Sequence, residues 1–122
     1  LHEQPDERMP TALIRKLEHL MSHLAQTPTV PVAPAHADFT PWNVFVGVHH
    51  LRVVDWELAQ PALPVLYDLF HYVYQANTLI GDRRYVSLRR EVDRVLGRPS
   101  WQAFFSGQPV DVDRAEQLYL VH

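Results

Sequence analysis

Four polar side chains fall in two short stretches whose residue types suit a hard cation. His36, Asp38 and Asn43 lie in His36-Ala37-Asp38-Phe39-Thr40-Pro41-Trp42-Asn43, and Asp55 follows in Val53-Val54-Asp55-Trp56-Glu57. Carboxylate and amide oxygens, without sulfur or a convincing set of imidazoles, favour Mg2+. An ion with so few protein ligands completes its shell with water and substrate phosphates, which points toward phosphoryl transfer. That chemistry requires Asp38 and Asn43 at the two ends of one loop, with Asp55 returning beside them on a neighbouring strand.

The elements that would position these groups can be read from periodicity. Leu13, Ile14, Leu17, Leu20, Met21 and Leu24 recur at helical spacing after Pro10, which predicts an amphipathic helix from about Pro10 to Gln26. His19 and His23, one turn apart, lack a third ligand nearby and read as part of its solvated face. The proline-rich Thr27–Ala35 reads as an extended connector. Asn43–Val46 and Leu51–Trp56, split by Gly47-Val48-His49-His50, read as a hairpin with the histidine pair in its turn. After Pro61 and Pro64 a helix starts near Leu66 and is apolar on nearly all sides, the pattern of a buried helix. A further helix is expected from Asp82 as its cap, with Tyr85, Leu88, Val92 and Val95 inward and Gly97 and Pro99 at its end. A short segment at Trp101–Phe105 precedes a last helix opening at Asp111, with Ala115, Leu118 and Tyr119 on one side. The order predicts one α+β domain over residues 1–122, mostly helical, with one small sheet.

Composition removes several classes of function. Hydrophobic residues make up 47% and charged residues 20%, which excludes wholesale disorder. A net charge of −3 argues against a nucleic acid or an anionic membrane as the main partner. The absence of cysteine excludes disulfides, thiolate zinc sites, Fe–S clusters and cysteine nucleophiles together. Gly47, Gly81, Gly97 and Gly107 are too scattered to form a glycine-rich phosphate cradle within these residues. No apolar run approaches the ~20 residues of a membrane span, and the polar, acidic Leu1–Pro10 is not a targeting peptide. A cytoplasmic protein is the expectation. The start at Leu1 and the stop at His122 inside a helical pattern suggest a piece of a longer chain.

The loop resembles the catalytic pattern H-x-D-x-x-x-x-N of protein-kinase-like enzymes. More closely, HADFTPWNVF, LRVVDWELA and PVLYDLFHYV are similar to the aminoglycoside phosphotransferase and choline kinase family, tightly over Ala35–Gln75, loosely over the first helix and not in detail beyond Gly81. The resemblance implies a protein-kinase-like carboxy-terminal lobe whose small hairpin carries the catalytic and metal residues. It implies that Asp38 receives the proton of an acceptor hydroxyl and that His36 fixes the catalytic loop. Asn43 and Asp55 would be the Mg2+ ligands, with Asp68 supporting the loop from a buried helix. ATP or GTP would be the phosphoryl donor, and a small hydroxyl-bearing molecule the acceptor. Two departures accompany it: Ala37 stands where the family commonly has glycine, and the amino-terminal nucleotide-binding lobe is missing. Lys16, on the polar side of a helix just before the loop, cannot replace that lobe's phosphate-pairing lysine.

Plainer roles stand beside these. Asp38 could be a turn aspartate bonding its own backbone, and Asn43 could simply begin a strand. Asp55 at the end of an apolar strand is an odd structural choice, since an unpaired buried carboxylate costs several kcal/mol. Trp42, Trp56 and the tyrosines of the buried helix read as core, and His71 as a hydrogen-bonded core residue. Glu57 could contact substrate or pair with an arginine. Arg83, Arg84, Arg89 and Arg90 read as a solvated face. A phosphotransferase is the reading preferred; the alternative is a non-catalytic kinase-like binding or regulatory module. A lobe stripped of its partner would expose apolar surface and could self-associate.

Overall fold

The computed structural model describes residues 11–25, 31–80, 84–106 and 108–122. In chain order these form α1 (Thr11–Ala25), β1 (Val32–Ala35), a short 3-10 turn (Pro41–Asn43), β2 (Val44–Val46), β3 (Leu51–Val53) and β4 (Gln60–Pro64). Four helices follow: α2 (Tyr67–Ile80), α3 (Tyr85–Leu96), α4 (Pro99–Phe104) and α5 (Val112–Val121). The architecture is α+β and mostly helical, with two small antiparallel sheets where the sequence predicts one.

The predicted hairpin is β2–β3, with Val44 opposite Val53, Phe45 opposite Arg52 and Val46 opposite Leu51. Gly47 closes it by donating its N–H to the carbonyl of His50 at 2.8 Å. A side chain at Gly47 would collide with the His50 ring, because a Cβ there would lie 2.5 Å from it. His49 and His50 are both exposed in this turn.

The second sheet corrects the reading of Thr27–Ala35 as a mere connector. Val32 pairs with Pro64, Ala33 with Leu63 and Ala35 with Gln60, with a shift in register between Ala33 and Ala35. Val65 N–H extends the ladder to the carbonyl of Pro31 at 3.0 Å. Proline has no N–H to give, so the run looks unfit for a sheet. A two-stranded ladder consists only of edges, and there the missing donors of Pro34, Pro61 and Pro64 can face away from the partner. The pairing ties the chain just before the His36 loop to the chain just before α2.

The core sits around α2. Leu66, Phe70, Val73, Val92 and Ala115 form its buried centre, with Leu69, Leu88, Leu96, Trp101, Phe105 and Tyr119 packed around it. α2 packs on α3 and α5, while α1 touches α5. The apolar stripe of α1 is only partly covered: Ile14, Leu17 and Leu20 are half-buried, whereas Leu13 and Met21 are exposed.

α3 begins at Tyr85 with Arg84 before it and no side-chain cap; the expected cap Asp82 lies outside the described residues. α5 starts as predicted, the Asp111 carboxylate accepting the N–H of Arg114 at 3.0 Å. Trp42 and Trp56 are not core, being 45% and 58% exposed.

The basic stretch also divides. Arg84 and Arg90 are exposed, and Arg83 lies outside the described residues. Arg89 instead reaches Glu116 at 2.8 Å, Asp113 at 2.7 Å and Asp93 at 3.1 Å, joining α3 to α5.

Candidate active site

The loop between β1 and β2 is held from beneath by α2. Asp68, in the first turn of that helix, accepts the backbone N–H of His36 at 2.8 Å and of Ala37 at 3.0 Å, one on each carboxylate oxygen. His36 is buried, at 2% exposure, and both its ring nitrogens are engaged by backbone. Its Nε2–H donates to the carbonyl of Val54 at 2.8 Å, and its Nδ1 accepts the N–H of Asp38 at 3.3 Å. One imidazole thus ties the loop to the end of β3 and fixes its own tautomer. The Trp56 ring lies 4.6 Å from it and covers one side.

Asp38 leaves this frame half-buried. Asn43, 6% exposed, donates through Nδ2 to the Asp38 carbonyl at 3.0 Å and to Asp38 Oδ2 at 2.9 Å. Both ends of the loop are therefore joined side chain to side chain. His71 of α2 approaches the other carboxylate oxygen, with Nε2 3.2 Å from Asp38 Oδ1. His71 is thus the hydrogen-bonded residue that the sequence suggests, but its partner is the loop carboxylate. Its partner lies 33 positions away, and no local pattern announces such a contact.

Asp55 is brought close by the backbone. The N–H of Val54, the residue before it, donates to the carbonyl of Asn43 at 3.0 Å. Asp55 itself is exposed, so its carboxylate carries no burial cost. Glu57 is also exposed, in a turn closed by Ala59 N–H on the carbonyl of Trp56 at 3.0 Å.

Among the described residues other than glycine the backbone is left-handed at three points, two of them in the segments that build this site. Ala37, Asp55 and Leu66 adopt positive φ values of 65°, 64° and 70°. Aspartate tolerates this left-handed region better than alanine or leucine does. Ala37 therefore gives the physical meaning of a glycine preference at its position.

The donor set suits a hard ion. The Asn43 amide hydrogens are directed onto Asp38, which leaves its Oδ1 as the atom that could bind metal, near the backbone that carries Asp55. Among the described residues no group of three or more histidine, cysteine, aspartate or glutamate side chains could hold a metal alone. A cation here would rest on two protein oxygens and take the rest of its shell from water and phosphate, as Mg2+ commonly does.

A cleft of about 730 Å³ opens beside the loop, between α2, α3 and α4. Phe39, Tyr72, Val73, Leu88, Val95 and Trp101 wall it, and it meets the loop at Phe39, the residue after Asp38.

These elements define a class: a mostly helical α+β chain that presents a carboxylate and an amide on one loop and a second carboxylate beside a hairpin. The chain belongs to the phosphotransferase enzyme family (APH), whose sequence model matches residues 1–104. No curated protein and no solved structure matches the chain. No helix among the described residues is long and apolar enough to cross a membrane.

Proposed function

We propose that the chain carries the catalytic half of a Mg2+-dependent phosphotransferase that moves the γ-phosphoryl group of ATP or GTP to a hydroxyl of a small molecule. The observation that carries this reading is the Asp38–Asn43 pair. The amide of Asn43 fixes the Asp38 carboxylate in a half-buried position and keeps its own oxygen for a cation.

In this reading Asp38 orients the acceptor hydroxyl and takes its proton on a carboxylate lone pair. The hydroxyl oxygen bonds to the γ-phosphorus as the bond to the bridging oxygen breaks, and the nucleoside diphosphate leaves. Asn43 Oδ1 and the Asp55 carboxylate would hold Mg2+, which when bound supplies charge neutralisation at the phosphates. The remaining work is positioning, and it falls to the frame of Asp68, His36 and Val54. The acceptor would enter through the cleft at Phe39, whose walls come from the helices after the hairpin.

The nucleotide also needs cover from above. Phe45, Val46, Val48 and Leu51 of the hairpin and Trp42, Trp56 and Leu58 beside it are each exposed, and a nucleotide-clamping lobe would cover part of this apolar area. Without such a partner the same surface favours self-association.

The test is a pair of variants in the full-length protein. Asp38→Ala abolishes turnover and leaves nucleotide affinity near that of the parent. Asp55→Ala weakens Mg2+-dependent nucleotide binding. Retained turnover in the first removes Asp38 from its role, and an unchanged metal titration in the second removes Asp55. Nucleotide binding without turnover in the parent would favour the binding-module alternative.

A further inference from the structure

His71 lies one turn beyond Asp68 on α2, so the two side chains share the helix face that looks onto the loop. Asp68 fixes the loop backbone; His71 meets the reactive side chain, Nε2 standing 3.2 Å from Asp38 Oδ1. The imidazole is itself confined. It stacks on Tyr67 at 6.0 Å with an interplanar angle of 12°, and Tyr119 meets it edge-on at 6.1 Å. The Tyr119 hydroxyl lies 3.4 Å from His71 Nδ1. The His71 side chain is 14% exposed, against 30% for Asp38.

The chemistry of the partners settles which atoms carry hydrogen. A carboxylate only accepts, so the nitrogen facing Asp38 bears the proton. In a neutral ring Nδ1 is then the acceptor, and the tyrosine O–H donates to it. Burial, helped by Tyr67, pushes the Tyr119 hydroxyl up to about 12, which keeps it a donor near neutrality. Asn43 holds Asp38 Oδ2 and His71 holds Oδ1, so the carboxylate cannot rotate, while each oxygen keeps a second lone pair.

We propose that His71 is a positioning residue for phosphoryl transfer, fixing the Asp38 carboxylate through its Nε2–H while the Tyr119 hydroxyl donates to Nδ1. The inference rests on Asp38 being the group that takes the hydroxyl proton. His71 neither gains nor loses a proton in the step; the proton moves from the acceptor to Asp38.

Two measurements test it. In the 15N-histidine-labelled chain, long-range 1H–15N correlation spectra should show His71 as the Nε2–H tautomer, and Asp38→Ala should convert it to a mixture. An Nδ1–H ring, or a His71 signal indifferent to Asp38→Ala, overturns the proposal without any assay of turnover. In the full-length protein, with MgATP and water as acceptor, His71→Leu should lower kcat on the order of 10- to 100-fold with KM for MgATP unchanged, the effect of one hydrogen bond to a charged group. His71→Gln, which keeps an N–H donor, should recover most of that loss. Unchanged kcat in His71→Leu, or a glutamine variant no better than leucine, removes His71 alone, provided Asp38→Ala is inactive. An active Asp38→Ala removes the reading of Asp38 itself, and the role of His71 with it.

Discussion

Asp68 holds Ala37 in a conformation that alanine avoids. Its carboxylate accepts the N–H groups of His36 and Ala37 together, and Ala37 sits at φ 65°. Left-handed backbone at a residue with a Cβ persists only where its surroundings over-determine it. Here a charge-assisted pair of hydrogen bonds from a core helix does so, and it thereby sets where the next residue, Asp38, points.

Replacing Asp68 by asparagine would turn one accepting oxygen into an amide facing an N–H donor. The expected loss is about 1.5–3 kcal/mol of stability, the range for a hydrogen bond to a charged group. Urea denaturation measures the loss. Amide hydrogen exchange should locate it, with His36 and Ala37 exchanging faster while the buried turns of α2 keep their protection. Uniform loss of protection along α2 would make Asp68 a helix residue first and a loop support second.

Ala37→Gly should act in the opposite direction. Relief of left-handed alanine is about 1–2 kcal/mol, and the added freedom of glycine in the unfolded chain returns about 0.4–1 kcal/mol. A net gain of up to about 1.5 kcal/mol follows from these two. A urea midpoint that falls on this substitution would show that the methyl group of Ala37 makes a contact outweighing its strain.

How much of this was legible in the sequence depended on the range of each interaction. His36, Asp38 and Asn43 lie within one loop, so their spacing announces their meeting. The β2–β3 hairpin is equally local, with its glycine between two apolar runs. The β1–β4 pairing was hidden, because prolines that normally exclude a strand are tolerated where every strand is an edge. The partner of His71, which is the hydrogen-bonded core residue its position suggests, and the pairing of Arg89 are hidden for a different reason. Each of these two residues is an ordinary one on a helix until a distant element presents Asp38 or Glu116 to it. Trp42 and Trp56 read as core rather than substrate contacts because they are aromatic, yet both flank the loop and hairpin at the surface.

Glu116 is the point through which α2, α3 and α5 communicate. It is 4% exposed and accepts from the Tyr74 hydroxyl, from the Tyr85 hydroxyl at 2.8 Å and from Arg89 Nη1 at 2.8 Å. Burial lowers the tendency of Arg89 to stay charged, but its bonds to Asp113 and Asp93 more than offset this, and its pKa is raised. Glu116→Gln leaves that cation without its buried counter-charge and should cost about 2–3 kcal/mol. Glu91→Gln, which changes the solvent-exposed Arg94 pair within α3, should cost much less, because water screens such a pair. Urea midpoints for the two variants should therefore separate clearly. Equal losses would mean that the Glu116 cluster acts as a surface pair.

The tyrosines around α2 give the fold an alkaline limit. Burial, and secondarily the charge of Tyr67, raises Tyr119 from 10.0 to about 12. Burial, followed by the hydrogen bond to Glu116, raises Tyr74 and Tyr85 as well. In the unfolded chain these hydroxyls ionise near their ordinary value, while the folded chain keeps them protonated, so the unfolded state binds fewer protons as the pH rises past 10. The stabilisation is present in full below pH 10 and is lost as pH climbs through about 12. Urea midpoints should hold steady to about pH 9.5 and then fall, and Tyr119→Phe should make that fall shallower. Tyrosinate absorbance in the folded protein should rise in two stages, with the residues around α2 ionising late. A single stage near pH 10 involving all five tyrosines would show that this cluster is open to solvent. The same titration bears on the site, because the Tyr119 that resists ionisation is the one whose hydroxyl faces His71 Nδ1.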